Sequence, residues 1–423
     1  MYKILNSIIS ESGIWNGSRK ESHAFLLSPD VYEITETQHH ELSKLGIALF
    51  DCLKGLSHIG VIAHDSTLNY KGSWMFMRQV FSTGVPKIYQ ELQGMNVKHI
   101  PKLLKVDLMI DQNGKFKIAE IDGHNKHGIG YSTLALRFRE ALYPDSKSLP
   151  GTVNVLSQEV KRLGYNEVKL FYADQERFYV PEFNIVKQEF NKYGINCLVV
   201  SEMEANEDFL QDGLFIDLPF LYSRIYLYES IISSYKKGNV KFIIPPKPFF
   251  GAKGVLALLR NDERNSGIEA LLCSFIKKES LELIRQYIPE TFLVGKQAKR
   301  FDFVKNQVSN KKYVLKESIS SGMKGTIFSD DSNFNSILSR ACTTNLNWIL
   351  QEEITNQPQT FSWFENNNGS IPKIKTQDDW FMRVTAQYVN RQLADIIVTA
   401  CRDKAVHGGK SCLQLGTIIN KVT

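Results

Sequence analysis

Between residues 33 and 56 apolar positions recur at helical spacing: Leu42, Leu45, Ile47, Leu49, Phe50, Leu53 and Leu56 fall in successive turns. Positions three and four apart share a helix face, so this stretch predicts an amphipathic helix. Further on, two short apolar runs, 106–110 and 116–121, flank Asp111, Gln112, Asn113 and Gly114. Asn followed by Gly accepts the left-handed dihedrals of a tight turn, and the two runs therefore read as a β-hairpin. After Pro150 and Gly151, strand-like runs at 168–172, 196–200, 215–217 and 241–244 are interspersed with a helical segment at 185–193. Strand–helix–strand alternation predicts a parallel α/β layer, and Pro245 and Pro246 close it. Residues 254–286 read as helical, with Leu256, Leu258, Leu259, Leu271, Phe275, Leu281 and Ile284 as their apolar positions. From 292 onward short strands dominate, at 292–294, 313–315, 325–328, 348–351, 382–389 and 396–399, and the polar run 365–370 reads as a loop. A chain of 423 residues exceeds one comfortable core. The expectation is an α/β (α+β) protein in three consecutive segments, 1–150, 151–250 and 251–423.

Charge and cysteine content narrow the function classes. Lys and Arg number 51 against 45 acids, a net charge of +6. A nucleic-acid binder concentrates its excess in a stripe. Only the short runs 296–300 and 311–316 are basic here, which suits a polyanion pocket or a solvated face, so no nucleic-acid partner is expected. We find no run of about 18 uncharged apolar residues, the length of a membrane span. The first fifteen residues lack the basic start and apolar middle of a signal peptide. Cys52, Cys197, Cys273, Cys342, Cys401 and Cys412 are scattered without a close pair and read as reduced thiols. The expectation is a cytoplasmic protein without a membrane partner.

Four stretches carry candidate chemistry. In the hairpin, Glu120 and Asp122 are two apart on one strand and so share a face, which Asp107 on the paired strand can reach. Three carboxylates on one face repel unless a cation lies among them, and an all-oxygen set suits Mg²⁺. Next, the strand ending in Lys316 runs into Ser320, Ser321, Gly322, Met323, Lys324 and Gly325. A small-residue turn lets backbone N–H groups approach phosphate, and the lysine adds a compact charge. The spacing is not that of a Walker A loop. Third, an apolar strand from Trp348 ends in Gln351, Glu352, Glu353 and Ile354, where backbone can pair with an adenine edge and an acid with ribose hydroxyls. Last, Arg383 and Arg402 stand on or beside strands, where they can neutralise charge on a phosphate in transfer. Each stretch alone has a plain alternative: a solvated acidic face, an ordinary glycine turn, a strand end, two surface arginines. His124 and His127 suggest either zinc or a substrate-contacting turn, with a plain polar loop as the simpler reading. Tyr70, Trp74, Arg78, His407 and Gly409 are explained equally well by packing or a turn.

In combination and order, these pieces resemble the circularly permuted ATP-grasp family, which includes glutathionylspermidine synthetase and many bacterial amide ligases. Lys105, Asp107, Glu120 and Asp122 look like its R-x-D…E-x-N magnesium pattern, with Lys for Arg and Asp for Asn. Pro245, Pro246 and the stretch from Ala252 and Lys253 to Leu259 resemble its PP…NK-ALLALL segment, and Tyr287 to Thr291 its IPxT segment. The resemblance covers most of 100–420, and residues 1–95 carry little of it. It implies a permuted ATP-grasp fold with a Rossmann-like pre-ATP-grasp domain at 151–250. It implies ATP and Mg²⁺ as cofactors, with Asp107, Glu120 and Asp122 on the metal. Lys316, Ser320, Ser321, Gly322, Lys324, Gly325, Gln351, Glu352, Glu353 and Ile354 would lie on the nucleotide, and Lys105, Arg383 and Arg402 would take catalytic roles. The implied reaction is amide formation between a small carboxylate and an amine, such as an amino acid, peptide or polyamine, through an acyl phosphate. A kinase on the same fold and a nucleotide-binding module without turnover remain as alternatives.

Overall fold

In the computed structural model the described residues are all but 15–24, 65–76, 78–79, 222, 263, 296–305, 307, 309–310, 321–324, 345–347, 366–371, 409–410 and 421–423. The protein is mixed α/β with several sheets. Its chain divides into two compact units made of interleaved stretches. One contains Met1–Ser43, Asn125–Pro245 and Pro358–Thr423; the other contains Lys44–His124 and Pro246–Gln357. The segments 1–150 and 251–423 are therefore each shared between both units. The long helix predicted from residue 33 runs from Glu36 to His64, and the boundary falls within it. Its stretch Glu36–Ala63 is long and apolar enough to cross a membrane, yet 72% of the most apolar window is buried in the protein, as in a core helix.

The first unit holds the parallel layer that the alternation predicts. Strands Asn196–Ser201, Glu167–Tyr172, Gly213–Phe215 and Val240–Phe242 lie side by side in that order, all parallel. Strand Glu167–Tyr172 is buried at nearly every position, as its continuous apolar run requires of a strand covered on both faces. The same unit contains an antiparallel sheet in which Lys373–Val389 pairs with Gln359–Glu365 and Gln392–Cys401, and the latter with Leu413–Leu415. Helix Ile129–Leu142 lies close to the end of this sheet. A Cβ on Gly416 would stand 2.5 Å from the Ala135 carbonyl, so only glycine admits the approach.

The second unit is built on a four-stranded antiparallel sheet in the order Thr326–Phe328, Tyr313–Glu317, Trp348–Glu352, Thr291–Val294. Period-two alternation sorts its side chains. Phe292, Val294, Tyr313, Leu315, Ile327, Trp348 and Leu350 enter one core with Phe334, Leu338 and Ala341 of helix Phe334–Thr343. The intervening Thr291, Lys316, Ile349 and Gln351 therefore occupy the opposite face. The 254–286 region forms three helices, Gly254–Arg260, Ser266–Phe275 and Lys278–Tyr287. The first of these is buried on all sides up to Leu259, which fits its unbroken run of apolar residues. The predicted hairpin forms from Leu103–Ile110 and Phe116–Asp122. Gly114 takes a φ of 73°, and Asp111 Oδ1 accepts from the backbone N–H groups of Asn113 and Lys115.

Candidate functional site

The hairpin register pairs Lys105 with Asp122 and Asp107 with Glu120, which places all four side chains on one face. Beyond Asp107 the register slips, and Leu108 pairs with Ile118. Ala119 is the extra residue of this bulge, where the ladder is locally disrupted. Lys316 bonds there: Nζ donates to the Ala119 carbonyl at 3.1 Å and to Gln351 Oε1 at 2.7 Å. A side chain near the end of strand Tyr313–Glu317 thus reaches the acidic hairpin. Burial pushes the Lys316 ammonium down to about 8, and Lys253 adds to the shift, while Glu120 and Asp107 oppose it.

A second lysine joins this face. Lys253 is only 5% exposed, and its Nζ meets Glu120 Oε1 at 3.0 Å and the Ser320 carbonyl at 2.9 Å. Its backbone is fixed, since Lys253 N donates to the Ser318 carbonyl and Gly254 N to Ser318 Oγ. The third lysine, Lys105, contacts Asp122 Oδ2 at 2.8 Å, and His124 Nδ1 contacts Asp122 Oδ1 at 2.8 Å. Burial alone would raise the Asp122 carboxyl, but Lys105 and His124 hold it well below the usual carboxylate range. Gly251 makes room for that imidazole, because a Cβ there would lie 1.9 Å from His124 Nδ1.

One unit therefore brings together Lys105, Asp107, Glu120, Asp122, Lys316, Ser320 and Gln351 of the expected residues, with Lys253, Ser318 and His124 added. Glu352, Glu353 and Ile354 follow at the end of the strand; Glu352 contacts Lys311 at 3.3 Å, and Glu353 N donates to the Lys312 carbonyl. Gly325 closes the turn after Lys316 with a φ of 70°, its carbonyl accepting from Glu317 N. Ser321, Gly322 and Lys324 lie outside the described residues, as do Tyr70, Trp74, Arg78 and Gly409. Arg383 and Arg402 belong to the other unit. There Arg383 pairs by backbone with Thr399, and the Arg402 guanidinium lies over the rings of Trp363 and Trp380 at 5.0 and 5.1 Å. No family model matches this chain, and no curated protein matches its sequence.

The donor set can be tested against the expected cofactors. Among the described residues no three His, Cys, Asp or Glu side chains converge closely enough to hold a bare metal ion. Asp107 and Glu120, directly opposite each other, offer hard oxygen donors. They fit a magnesium ion that completes its shell with phosphate oxygens and water. Asp122 is already engaged by Lys105 and His124, and buried Lys253 and half-buried Lys316 present ammonium groups suited to phosphate. His124 and His127 serve different acids: His127 Nε2 meets Glu176 Oε1 at 2.8 Å. Fully buried Lys126 spans Glu176 and Asp217 at 2.9 and 3.3 Å. Burial would raise Glu176, yet Lys126 and His127 hold it at about 2, whereas burial prevails at Asp217 and raises it.

The sequence places Lys253 only within the segment that resembles NK-ALLALL and gives it no role of its own. The residue precedes an apolar helix and reads as part of that packing, and its partner Glu120 lies on a distant segment. The bulge at Ala119 left no composition signal at all.

Proposed function

We propose that this chain is an ATP- and magnesium-dependent ligase that activates a carboxylate for capture by an amine, on a circularly permuted ATP-grasp fold. The observation that carries the reading is the meeting of the acidic hairpin with two lysines, buried Lys253 and half-buried Lys316, within one compact unit. Such an arrangement offers oxygen donors to a metal and ammonium groups to phosphates side by side, which phosphoryl transfer requires. The order of motifs along the chain, read above as a resemblance, supports the same assignment.

Asp107 and Glu120 would hold magnesium, and ATP and the metal together supply the phosphoryl group and the neutralisation of its charge. The remaining work falls to side chains of this chain. Lys316, oriented by Gln351, and Lys253 bind phosphate oxygens. Lys105 keeps Asp122 ionised and fixed, so the hairpin face holds its shape as charge shifts. Glu352, Glu353 and Ile354 receive the nucleoside at the strand end. Arg383 and Arg402, expected in catalytic roles, belong to the other unit, and neither is given a step. No side chain needs to move a proton in the first step, because positioning and electrostatics carry it.

The test is ADP release with Mg·ATP across a panel of amino acids, peptides and polyamines, wild type beside Glu120→Gln. We expect activity only with magnesium and with both a carboxylate and an amine, and a loss of at least ~10²-fold in the variant. Equal ADP release by Glu120→Gln removes the site assignment. A stable phosphorylated product with no need for an amine would make the protein a kinase instead.

A further inference from the structure

We infer that Lys253 occupies the metal's place on Glu120, so that a divalent cation binds the hairpin only together with a phosphate that draws this ammonium away. The inference rests on the reading just given and adds an order of binding to it. Its basis is the state of the charges. Glu120 carries an ammonium at 3.0 Å from a lysine that is itself 5% exposed. Asp122 carries another at 2.8 Å from Lys105. A dication approaching Asp107 and Glu120 meets the Lys253 ammonium already on Glu120, and like charges at that range repel.

A phosphate changes the balance. The backbone of Lys253 is fixed by its bonds to Ser318, but its four-carbon stem is flexible, and the ammonium gives up only one carboxylate oxygen and one carbonyl, that of Ser320. Phosphate oxygens replace both partners, and Glu120 becomes available to the metal. One ion pair and one hydrogen bond to a carbonyl are exchanged for contacts of Lys253 with phosphate and of Glu120 with the metal, and no covalent bond changes. Metal and phosphate then bind with positive coupling, and by linkage each raises the other's affinity by the same factor.

Titration calorimetry on the full chain tests this, with MgCl₂ alone, ADP alone and MgCl₂ in saturating ADP, for wild type and for Lys253→Met, which keeps the stem and removes the charge. For wild type we expect magnesium to bind at least ~10-fold tighter with ADP than without. For Lys253→Met we expect magnesium alone to bind at least ~10-fold tighter than to wild type, with the coupling largely gone. Equal affinity of the two proteins for magnesium alone would overturn the inference. Lys253→Gln, checked by circular dichroism, gives the same comparison where the methionine variant does not fold. A gain in magnesium affinity by the variant, with no ADP bound by either protein, would sustain the ion-pair exchange and defeat the nucleotide reading.

Discussion

At Asp395 burial and charge pull in opposite directions. The residue pairs with Gln387 between two central strands and is 5% exposed. Its Oδ1 accepts from Ile396 N, and the Ser132 hydroxyl also bonds to the carboxylate. Burial pushes the carboxyl up to about 7, and the bond from Ile396 N, then Arg139 and Ser132, only partly oppose this. An unfolded aspartate titrates near 3.9, so between about pH 4 and pH 7 the native state binds more protons than the unfolded state. Stability therefore falls as pH rises through that window and levels off above it. Asp395→Asn keeps the acceptor for Ile396 N and removes the ionisation, so denaturant unfolding should find it about 2–4 kcal/mol more stable than wild type at pH 8, and nearly equal at pH 4. A difference independent of pH would refute this account. Lys316 titrates in the opposite sense. Only its protonated form attracts phosphate, so with the group at about 8, Mg·ATP affinity should hold steady up to pH 7.5 and then fall by up to ~10-fold per unit. Lys316→Met should bind more weakly and lose that slope; a slope retained in the variant would mean another group is titrating.

At the scale of elements, legibility followed locality. The hairpin could be read because its turn chemistry and period-two pattern lie within twenty-odd residues, and the shared face of Glu120 and Asp122 follows from that period alone. In strand Lys373–Val389 only 382–389 showed in the sequence, because its first seven residues are exposed and carry no apolar alternation. Strand Gln359–Glu365, paired to that half, does carry a local signal, since Phe361 and Trp363 alternate and are buried. What no pattern announced was the fit between elements, and Gly251 is the sharpest instance. It looks like any loop glycine, yet its missing Cβ leaves the space in which His124 meets Asp122. Gly251→Ala must displace the imidazole, and a melt should show about 1–3 kcal/mol of destabilisation, the usual scale of overpacking. The explanation makes a narrower demand through a double-mutant cycle: in a His124→Ala background the same substitution should cost much less. Equal costs in both backgrounds would mean that His124 is not what the methyl group meets.

At the scale of the whole molecule, the interleaving of segments decides what can fold alone. Local pattern orders the elements along the chain, but membership of a unit depends on which distant stretches meet, and this is why consecutive segments were the natural reading of the sequence. The stretch Pro246–Gln357 contains the antiparallel sheet with Lys253, Lys316 and Gln351, and lacks the hairpin. Without it, Lys316 loses the Ala119 carbonyl, Lys253 loses Glu120, and Gln351 loses its contact with the Ile118 carbonyl. Two ammonium groups and Gln351 would then lose these partners, and hydrogen bonds to charged groups contribute about 1.5–3 kcal/mol each. Together these losses are comparable to the lower end of a small domain's whole stability, ~5–15 kcal/mol. A fragment of residues 246–357 should therefore show no cooperative thermal transition by circular dichroism. Co-expression with residues 44–124 should restore one, because that piece returns the acids and the carbonyls together. A cooperative melt of 246–357 on its own would show that the lysines need no hairpin, and the candidate site would lose its structural reason for having both.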